Sequence, residues 1–279
     1  MSYIKKLINY CYWIAHFSLL QVIFIAIEKM VRLLLYPFKI FNHNQNIDFY
    51  VLWFDYCIQS TLGKFYIRSW TDDEFIVSPM FEDELDHHFN LNWWIFLDIW
   101  SHIWKYSVKI WTQSKYNKII AFEANSQTYK SVKINLILNN IDNAIVENMA
   151  VWEKKWELIF LESKKNTWIS RIVDDNWAAL LKEWAIRKKD MILKKIPIIS
   201  IDEYLKYNLV NLNSIKLIKI DTEWNEFSVL LWMRNLLKKN KWVKLIVEIT
   251  ENLHEITAYM KWFWYICDKL SETYFIFSV

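Results

Sequence analysis

A single glycine in 279 residues would, taken at face value, leave this chain without the usual means of turning a backbone through positive φ or bringing it close to a ligand. Cysteine is also sparse. Cys11, Cys57 and Cys267 lie far apart and form no metal-binding or redox spacing, so a disulfide scaffold is excluded and a reducing compartment fits. Charge of one sign is lacking as well. With 34 basic and 31 acidic residues the net charge is +3, which gives no reason to expect a nucleic-acid partner. No small-residue cleavage pattern of the signal-peptide kind follows the apolar N-terminal stretch. There is no internal repeat and no low-complexity segment.

What the chain has in excess is tryptophan, 18 residues of it. Glycine ordinarily makes up roughly 7% of a chain, and the tryptophans and the one glycine together come to about that share. Trp100, Trp104, Trp152, Trp156, Trp168 and Trp224 stand beside Asp, Asn, Ser and Lys, at strand-to-helix corners and hairpin turns where glycine is the expected residue. The reading that follows is a gene whose UGA codons specify glycine but are rendered as tryptophan. A composition rich in Ile, Lys, Asn and Tyr suits the low-GC genome such reassignment favours. The alternative is a truly tryptophan-rich protein with an aromatic binding surface.

Three regions differ in pattern. Residues 1–45 hold an apolar run from Cys11 to Ile27, interrupted by His16, Ser18 and Gln21, followed by Glu28, Lys29 and Arg32 and a second run at Leu33 to Leu35. Seventeen residues is the short limit for a spanning helix, and a helix lying in the membrane interface fits at least as well. Peripheral membrane contact through residues 11–36, a true span, and packing against the main domain all stay open. Residues 46–92 read as lead-in strands, Phe49 to Phe54 and Lys64 to Arg68, and an acidic loop ending in His87 and His88. Adjacent histidines cannot both face one ion without a dedicated turn, so no metal is expected. From residue 93 to 279, strands alternate with helices, which predicts an α/β fold with a mainly parallel sheet. The strand-length runs are Ile95 to Leu97, Ile119 to Phe122, Leu217 to Ile220 and Leu245 to Val247. The helical segments are Tyr106 to Ser114, Gln127 to Leu138, Glu226 to Lys238 and Asn252 to Lys261. Residues 265–267 and 274–277 are the last strand candidates.

Five segments stand out for chemistry. Phe96-Leu97-Asp98-Ile99-Trp100-Ser101-His102-Ile103-Trp104 is a strand entering a tight turn and a helix, and with glycine at 100 and 104 its backbone could lie against a cofactor. The three-residue interval between those positions is not the G-x-G-x-x-G of a dinucleotide site. The next strand ends Ala121-Phe122-Glu123-Ala124-Asn125, placing a carboxylate where ribose hydroxyls are held on such sheets. Asn148 to Trp152 and Asn166-Thr167-Trp168-Ile169-Ser170 follow. Finally Lys219-Ile220-Asp221-Thr222-Glu223-Trp224-Asn225-Glu226 gathers three carboxylates at one strand end. No Ser-His-Asp or Cys-His arrangement supports a hydrolase.

With glycine restored, these segments resemble the FkbM family of methyltransferases: its D-x-G-A-N-x-G loop at Asp98 to Trp104, its F-E-P-N at Phe122 to Asn125, and its K-I-D-V-E-G-x-E at Lys219 to Glu226. Arg68-Ser69-Trp70-Thr71-Asp72-Asp73, Asn135 to Asn139, Ser200 to Leu205 and Glu248 match weaker family segments. His102 replaces the family's Asn and Ala124 its Pro. The resemblance spans roughly residues 64–279. It implies a Rossmann-like class I methyltransferase fold with helices on both faces of the sheet, to which the apolar pattern of residues 1–45 adds an N-terminal helical extension. It also implies S-adenosyl-L-methionine as cofactor, contacted by Asp98, Trp100, His102, Trp104, Glu123, Asn125 and Ala150, and Asn166 and Ser170 at the substrate mouth. Asp221, Glu223 and Glu226 would orient the acceptor hydroxyl, one of them taking its proton, with Glu248 a weaker candidate. Charge compensation at a helix N-terminus is the competing explanation for each. The implied reaction is O-methylation of a sugar or other small hydroxyl compound; the location expected is cytoplasmic, and membrane contact through residues 11–36 would fit a saccharide or glycolipid precursor as partner at the inner face of the membrane. A NAD-dependent oxidoreductase remains as a rival, and so does a non-catalytic membrane-associated module if the tryptophans are genuine.

Overall fold

Short continuous apolar runs joined by helices can bury both of their faces only by stacking side by side with helices above and below. The computed structural model describes residues 55–60, 62–68, 71, 73–77, 85, 88–89, 94–103, 105–113, 117–153, 157–163, 170–173 and 191–279. In chain order it holds β1 (Tyr56–Ser60), β2 (Gly63–Ile67), α1 (Asp73–Ile76), β3 (Ile95–Ile99), α2 (Lys105–Gln113), β4 (Lys118–Phe122), α3 (Ser126–Leu138), β5 (Ala144–Glu147), β6 (Ala150–Val151), β7 (Glu157–Ser163), β8 (Arg171–Val173) and β9 (Met191–Ile199). Then come α4 (Ile201–Tyr207), β10 (Ile215–Ile220), α5 (Glu226–Leu231), α6 (Arg234–Lys239), β11 (Lys244–Glu248), α7 (Leu253–Lys261), β12 (Ile266–Lys269) and β13 (Tyr274–Ser278).

The main sheet has seven strands in the order β12-β13-β11-β10-β3-β4-β5. From β11 to β5 all neighbours are parallel, and β13 runs antiparallel between β11 and β12. The strand order reverses between β3 and β10, and on an open parallel sheet the crevice for a ligand opens at the carboxyl ends of the strands beside such a switch. Alternation along the strands divides the core. Phe96, Ile119, Leu217 and Ile246 face one cluster with Val132 and Leu136 of α3; Leu97, Ile120, Ile218, Leu245 and Val247 face the other with Val229, Leu236 and Met260.

The β1–β2 hairpin is clasped to α3. Asn139 accepts the Lys64 N–H at 2.8 Å and donates to the Lys64 carbonyl at 2.6 Å, while Asn135 accepts the Tyr66 N–H at 2.7 Å and donates to the Ile103 carbonyl at 2.8 Å. The chain's one glycine sits in this clasp. Gly63 has φ +146°, and a Cβ there would meet Val108 Cγ1 at 2.4 Å and Asn139 Oδ1 at 2.8 Å. Arg68 forks onto buried Asp73, Nε to Oδ2 at 2.8 Å and Nη2 to Oδ1 at 2.6 Å.

A second sheet, β6-β9-β7-β8, was not expected from the sequence. The helix expected over Glu226 to Lys238 is two, broken at Trp232 and Met233. The Asp202 carboxylate of α4 accepts the Asn235 and Leu236 N–H groups at 2.6 and 2.9 Å and so starts α6 afresh. The strand expected at Phe49 to Phe54 and the apolar segment 11–36 lie outside the described residues. Among the described residues no helix is long and apolar enough to cross a membrane.

Candidate active site

At the carboxyl end of β3 the chain turns back against β4. The Trp100 and Ser101 N–H groups both donate to the Phe122 carbonyl at 3.0 Å. The Glu123 carboxylate accepts the His102 N–H at 2.8 Å and the Asn125 N–H at 2.7 Å. Glu123 is 1% exposed; burial pushes its carboxyl up to about 8, against the pull of those two N–H donors. Each of its oxygens keeps a second lone pair for a hydroxyl donor. Asp98, also buried, accepts the Ser107 hydroxyl at 2.6 Å. The turn needs φ of 68° at Trp100 and 48° at His102, a region that costs an L-residue roughly 1–2 kcal/mol.

The carboxylates and backbone donors suit the cofactor that the resemblance implies. The Trp100 indole does not. It is 7% exposed and packs with Ala124, Ala150 and Phe160, its ring centroid 5.6 Å from that of Phe160. It therefore fills the gap between the strand ends that carry Glu123 and Ala150. Trp104 lies outside the described residues.

Asn125 caps α3, accepting the Gln127 and Thr128 N–H groups at 2.9 and 3.1 Å. Its amide donates to the Ser163 carbonyl and the Ser170 hydroxyl, both at 3.1 Å. Ser170 is fully buried and also accepts the Ser163 N–H at 3.0 Å, so here it fastens β7 to β8. Glu162 of β7 accepts the Ser126 N–H at 2.9 Å and pairs with Lys194. The second sheet is thus docked on the first turn of α3, beside the crevice. Asn166 lies outside the described residues.

The three carboxylates after β10 have separate roles. Glu226 folds back onto its own loop, accepting the Thr222 N–H at 2.8 Å and the Thr222 hydroxyl at 3.0 Å. Its burial raises its carboxyl, and those donors oppose the rise. Asp221 accepts from Lys219 Nζ at 2.7 Å and from the Tyr274 hydroxyl at 3.0 Å. Burial works against its ionisation, but Lys219, Glu248 and Tyr274 outweigh burial and hold it below the usual carboxylate range. Glu223 is half-buried, at φ 53°. Burial first, then the charges of Asp221 and Glu226, push it up to about 8, with Lys219 and Arg171 acting in the other direction. Glu248 joins the group from β11: burial, then Asp221, push it up to about 10. Asp221, Glu223 and Glu248 each bring a carboxylate oxygen within 4.8 Å of the others, and Lys219 supplies positive charge to the cluster. Lys219 and Tyr274 were missed in the sequence; the Lys219-Asp221 alternation on one strand was the available signal, whereas nothing local marks Tyr274.

The Methyltransferase FkbM domain family model matches residues 90–269, well over half the chain. No curated protein matches it. Among solved structures, a precorrin-6y C5,15-methyltransferase from Geobacter metallireducens is similar at 8% identity, over 70% of this chain and 83% of that one, with a TM-score of 0.40. Pyrococcus horikoshii TYW2 in complex with MeSAdo is similar at 11% identity, over 82% and 71%, with a TM-score of 0.43. A SAM-dependent methyltransferase from Aquifex aeolicus is similar at 10% identity, over 70% and 91%, with a TM-score of 0.37. The matched family model, the strand order and the carboxylates at the strand ends agree, and the chain belongs to the FkbM family of S-adenosyl-L-methionine-dependent methyltransferases.

Proposed function

We propose that this chain methylates a hydroxyl group of a sugar or another small polyhydroxyl acceptor, that Glu223 is the base, and that positions 100, 104 and 224 are glycine in the working protein. When bound, the cofactor supplies a methyl group on a sulfonium centre, so the demand on the protein is mainly to position the acceptor. Of the carboxylates at the mouth, Glu226 is committed to Thr222 and Asp221 to Lys219 and Tyr274. Glu223 is half-buried and raised to about 8, close to where a base for an alcohol works best. That Glu226 and Asp221 are committed to partners within the protein while Glu223 stands half-buried beside them is the observation that carries the reading. An acceptor at a membrane surface, such as a glycolipid precursor, would agree with the apolar segment 11–36.

The glycine assignment is supported by backbone geometry. Among the described residues, three of the eight non-glycine residues with positive φ are tryptophans: Trp100 at 68°, Trp224 at 79° and Trp264 at 72°. A bulky side chain at positive φ is a genuine outlier. Trp264 is far from the loops that carry chemistry in the sequence. It follows α7 at the position where a Schellman turn takes glycine, with the Tyr265 N–H reaching back to the Met260 carbonyl at 3.3 Å. Trp111 adds a different sign of misfit, since its indole N–H is buried with no hydrogen-bond partner.

The filled crevice around Trp100 favours one second reading, a non-catalytic module, if the tryptophans are genuine. Equilibrium binding of S-adenosylhomocysteine and of NADH, to the chain as given and with glycine at 100 and 104, separates the possibilities. The proposal expects S-adenosylhomocysteine to bind the glycine form alone. NADH binding would instead establish the oxidoreductase, and equal S-adenosylhomocysteine affinity for both forms would remove the role given to glycine.

A further inference from the structure

In the register of β10 and β11, Ile220 lies opposite Val247, so Asp221 and Glu248 leave the sheet as neighbours. Antiparallel β13 puts Tyr274 opposite Glu248. Lys219 lies two residues before Asp221, with its side chain therefore on the same face, and it is 4% exposed. Its Nζ and the Tyr274 hydroxyl converge on one oxygen of Asp221, at 2.7 and 3.0 Å. Asp221 and Glu248 bring carboxylate oxygens within 4.8 Å of each other, and Glu248 also accepts the Thr273 hydroxyl at 3.2 Å. Two carboxyl groups in such contact share one proton. Because the Lys219 ammonium and the Tyr274 hydroxyl both sit on Asp221, while Glu248 has only the neutral Thr273 hydroxyl, the proton resides on Glu248.

We infer that Asp221 is a positioning residue rather than a base: Lys219, Tyr274 and a protonated Glu248 fix it as an anion, and its charge tunes the proton affinity of Glu223. The inference rests on the methyltransferase reading of this site. The charged groups around Glu223 are Asp221 and Glu226 on its own loop, Lys219 of β10, Arg171 of β8 and Glu248 of β11; the Tyr274 hydroxyl of β13 donates to Asp221. Asp221, two residues before Glu223, brings a carboxylate oxygen within 4.8 Å of the Glu223 carboxylate, close enough for its charge to oppose ionisation there. Removing that charge should make Glu223 easier to ionise.

The test is carboxyl-carbon NMR of the full chain labelled at Glu Cδ and Asp Cγ, titrated with pH. Resonances are assigned by their loss in Glu223→Gln, Glu248→Gln and Asp221→Asn. Glu248 should stay protonated beyond neutrality, and the Glu223 midpoint should lie near 8. That midpoint should fall by about one unit or more in Asp221→Asn, as expected on losing a like charge in close contact, and hold in Glu248→Gln. If Asp221→Asn does not fold, Tyr274→Phe takes its place: it removes one donor, and the Asp221 midpoint should rise. A Glu248 titrating at the ordinary carboxylate value overturns the inference, as does a Glu223 midpoint indifferent to Asp221→Asn or an Asp221 midpoint indifferent to Tyr274→Phe. S-adenosylhomocysteine binding, measured by calorimetry on the form with glycine at 100 and 104, reports separately on the methyltransferase reading. Failure there leaves the titrations interpretable, and failed titrations leave the binding result standing.

Discussion

Replacing Trp100 by glycine tests the filled crevice directly. Truncating a buried Trp or Phe costs about 3–5 kcal/mol, and the indole here is 7% exposed against Phe160, Ala124 and Ala150. Two local terms modify that cost. Relief of the left-handed φ of 68° returns about 1–2 kcal/mol, and the greater freedom of glycine in the unfolded chain takes back about 0.5–1 kcal/mol. Trp100→Gly alone should therefore lower stability by about 2–4 kcal/mol. In a chain of this size that corresponds to a fall in Tm of about 5–15 °C. The vacated space is lined by the Glu123 and Asp98 loops, so S-adenosylhomocysteine at a hundred times its Kd should restore about 2.7 kcal/mol. Scanning calorimetry with and without that ligand reads both effects. A Trp100→Gly chain whose Tm ignores the ligand, or a parent chain that responds equally, would refute the reasoning.

Other expectations follow from single positions. Trp264 is 76% exposed at φ 72°, so Trp264→Gly should gain about 0.5–1 kcal/mol, with strain relief exceeding the entropy cost; a loss of stability on urea unfolding would contradict the glycine assignment there. Asn125→Ala removes the α3 cap and the amide that holds Ser163 and Ser170, and should cost about 2 kcal/mol or somewhat more, measurable in the same assay. Glu123 and Glu223, raised to about 8, and Glu248, raised to about 10, bind protons in the folded state that the unfolded chain has already released. Their contribution is complete below the ordinary carboxylate range and is lost as pH rises through 8 to 10. Asp221, held low, acts in the opposite sense and loses its contribution as pH falls through its folded value. Urea unfolding should therefore show declining stability from mildly acid to alkaline pH, and a flat or rising profile across that window would contradict these environments.

The parallel strands were legible because each is a short apolar run buried on both faces, and the crevice because a carboxylate stands at the carboxyl end of β3, β4, β10 and β11, within the last two residues of β3 and β11 and just after β4 and β10. Glu123, Asp221 and Glu223 could be singled out from position alone. The division of labour among them could not, because it depends on partners distant in sequence: Tyr274 is 53 residues from Asp221, and Ser170 is 45 from Asn125. The β7-β8-β9 sheet escaped notice because β9 mixes Lys194, Lys195 and Pro197 with its apolar residues and has no clean alternation. The break between α5 and α6 comes from Asp202 in another helix. Among the described tryptophans, positive φ marks Trp100, Trp224 and Trp264; Trp264 stands in no motif of the sequence, so only its backbone points to glycine there.

The central claim is best tested by supplying S-adenosylmethionine with a labelled methyl group to the chain carrying glycine at 100, 104 and 224, together with a panel of free sugars and polyols and a membrane-lipid extract. Label should appear as a methyl ether on a hydroxyl compound, and Glu223→Gln should slow its formation by about 100-fold or more while S-adenosylhomocysteine still binds. Undiminished transfer in Glu223→Gln, or label appearing only on protein or nucleic acid, would contradict the account.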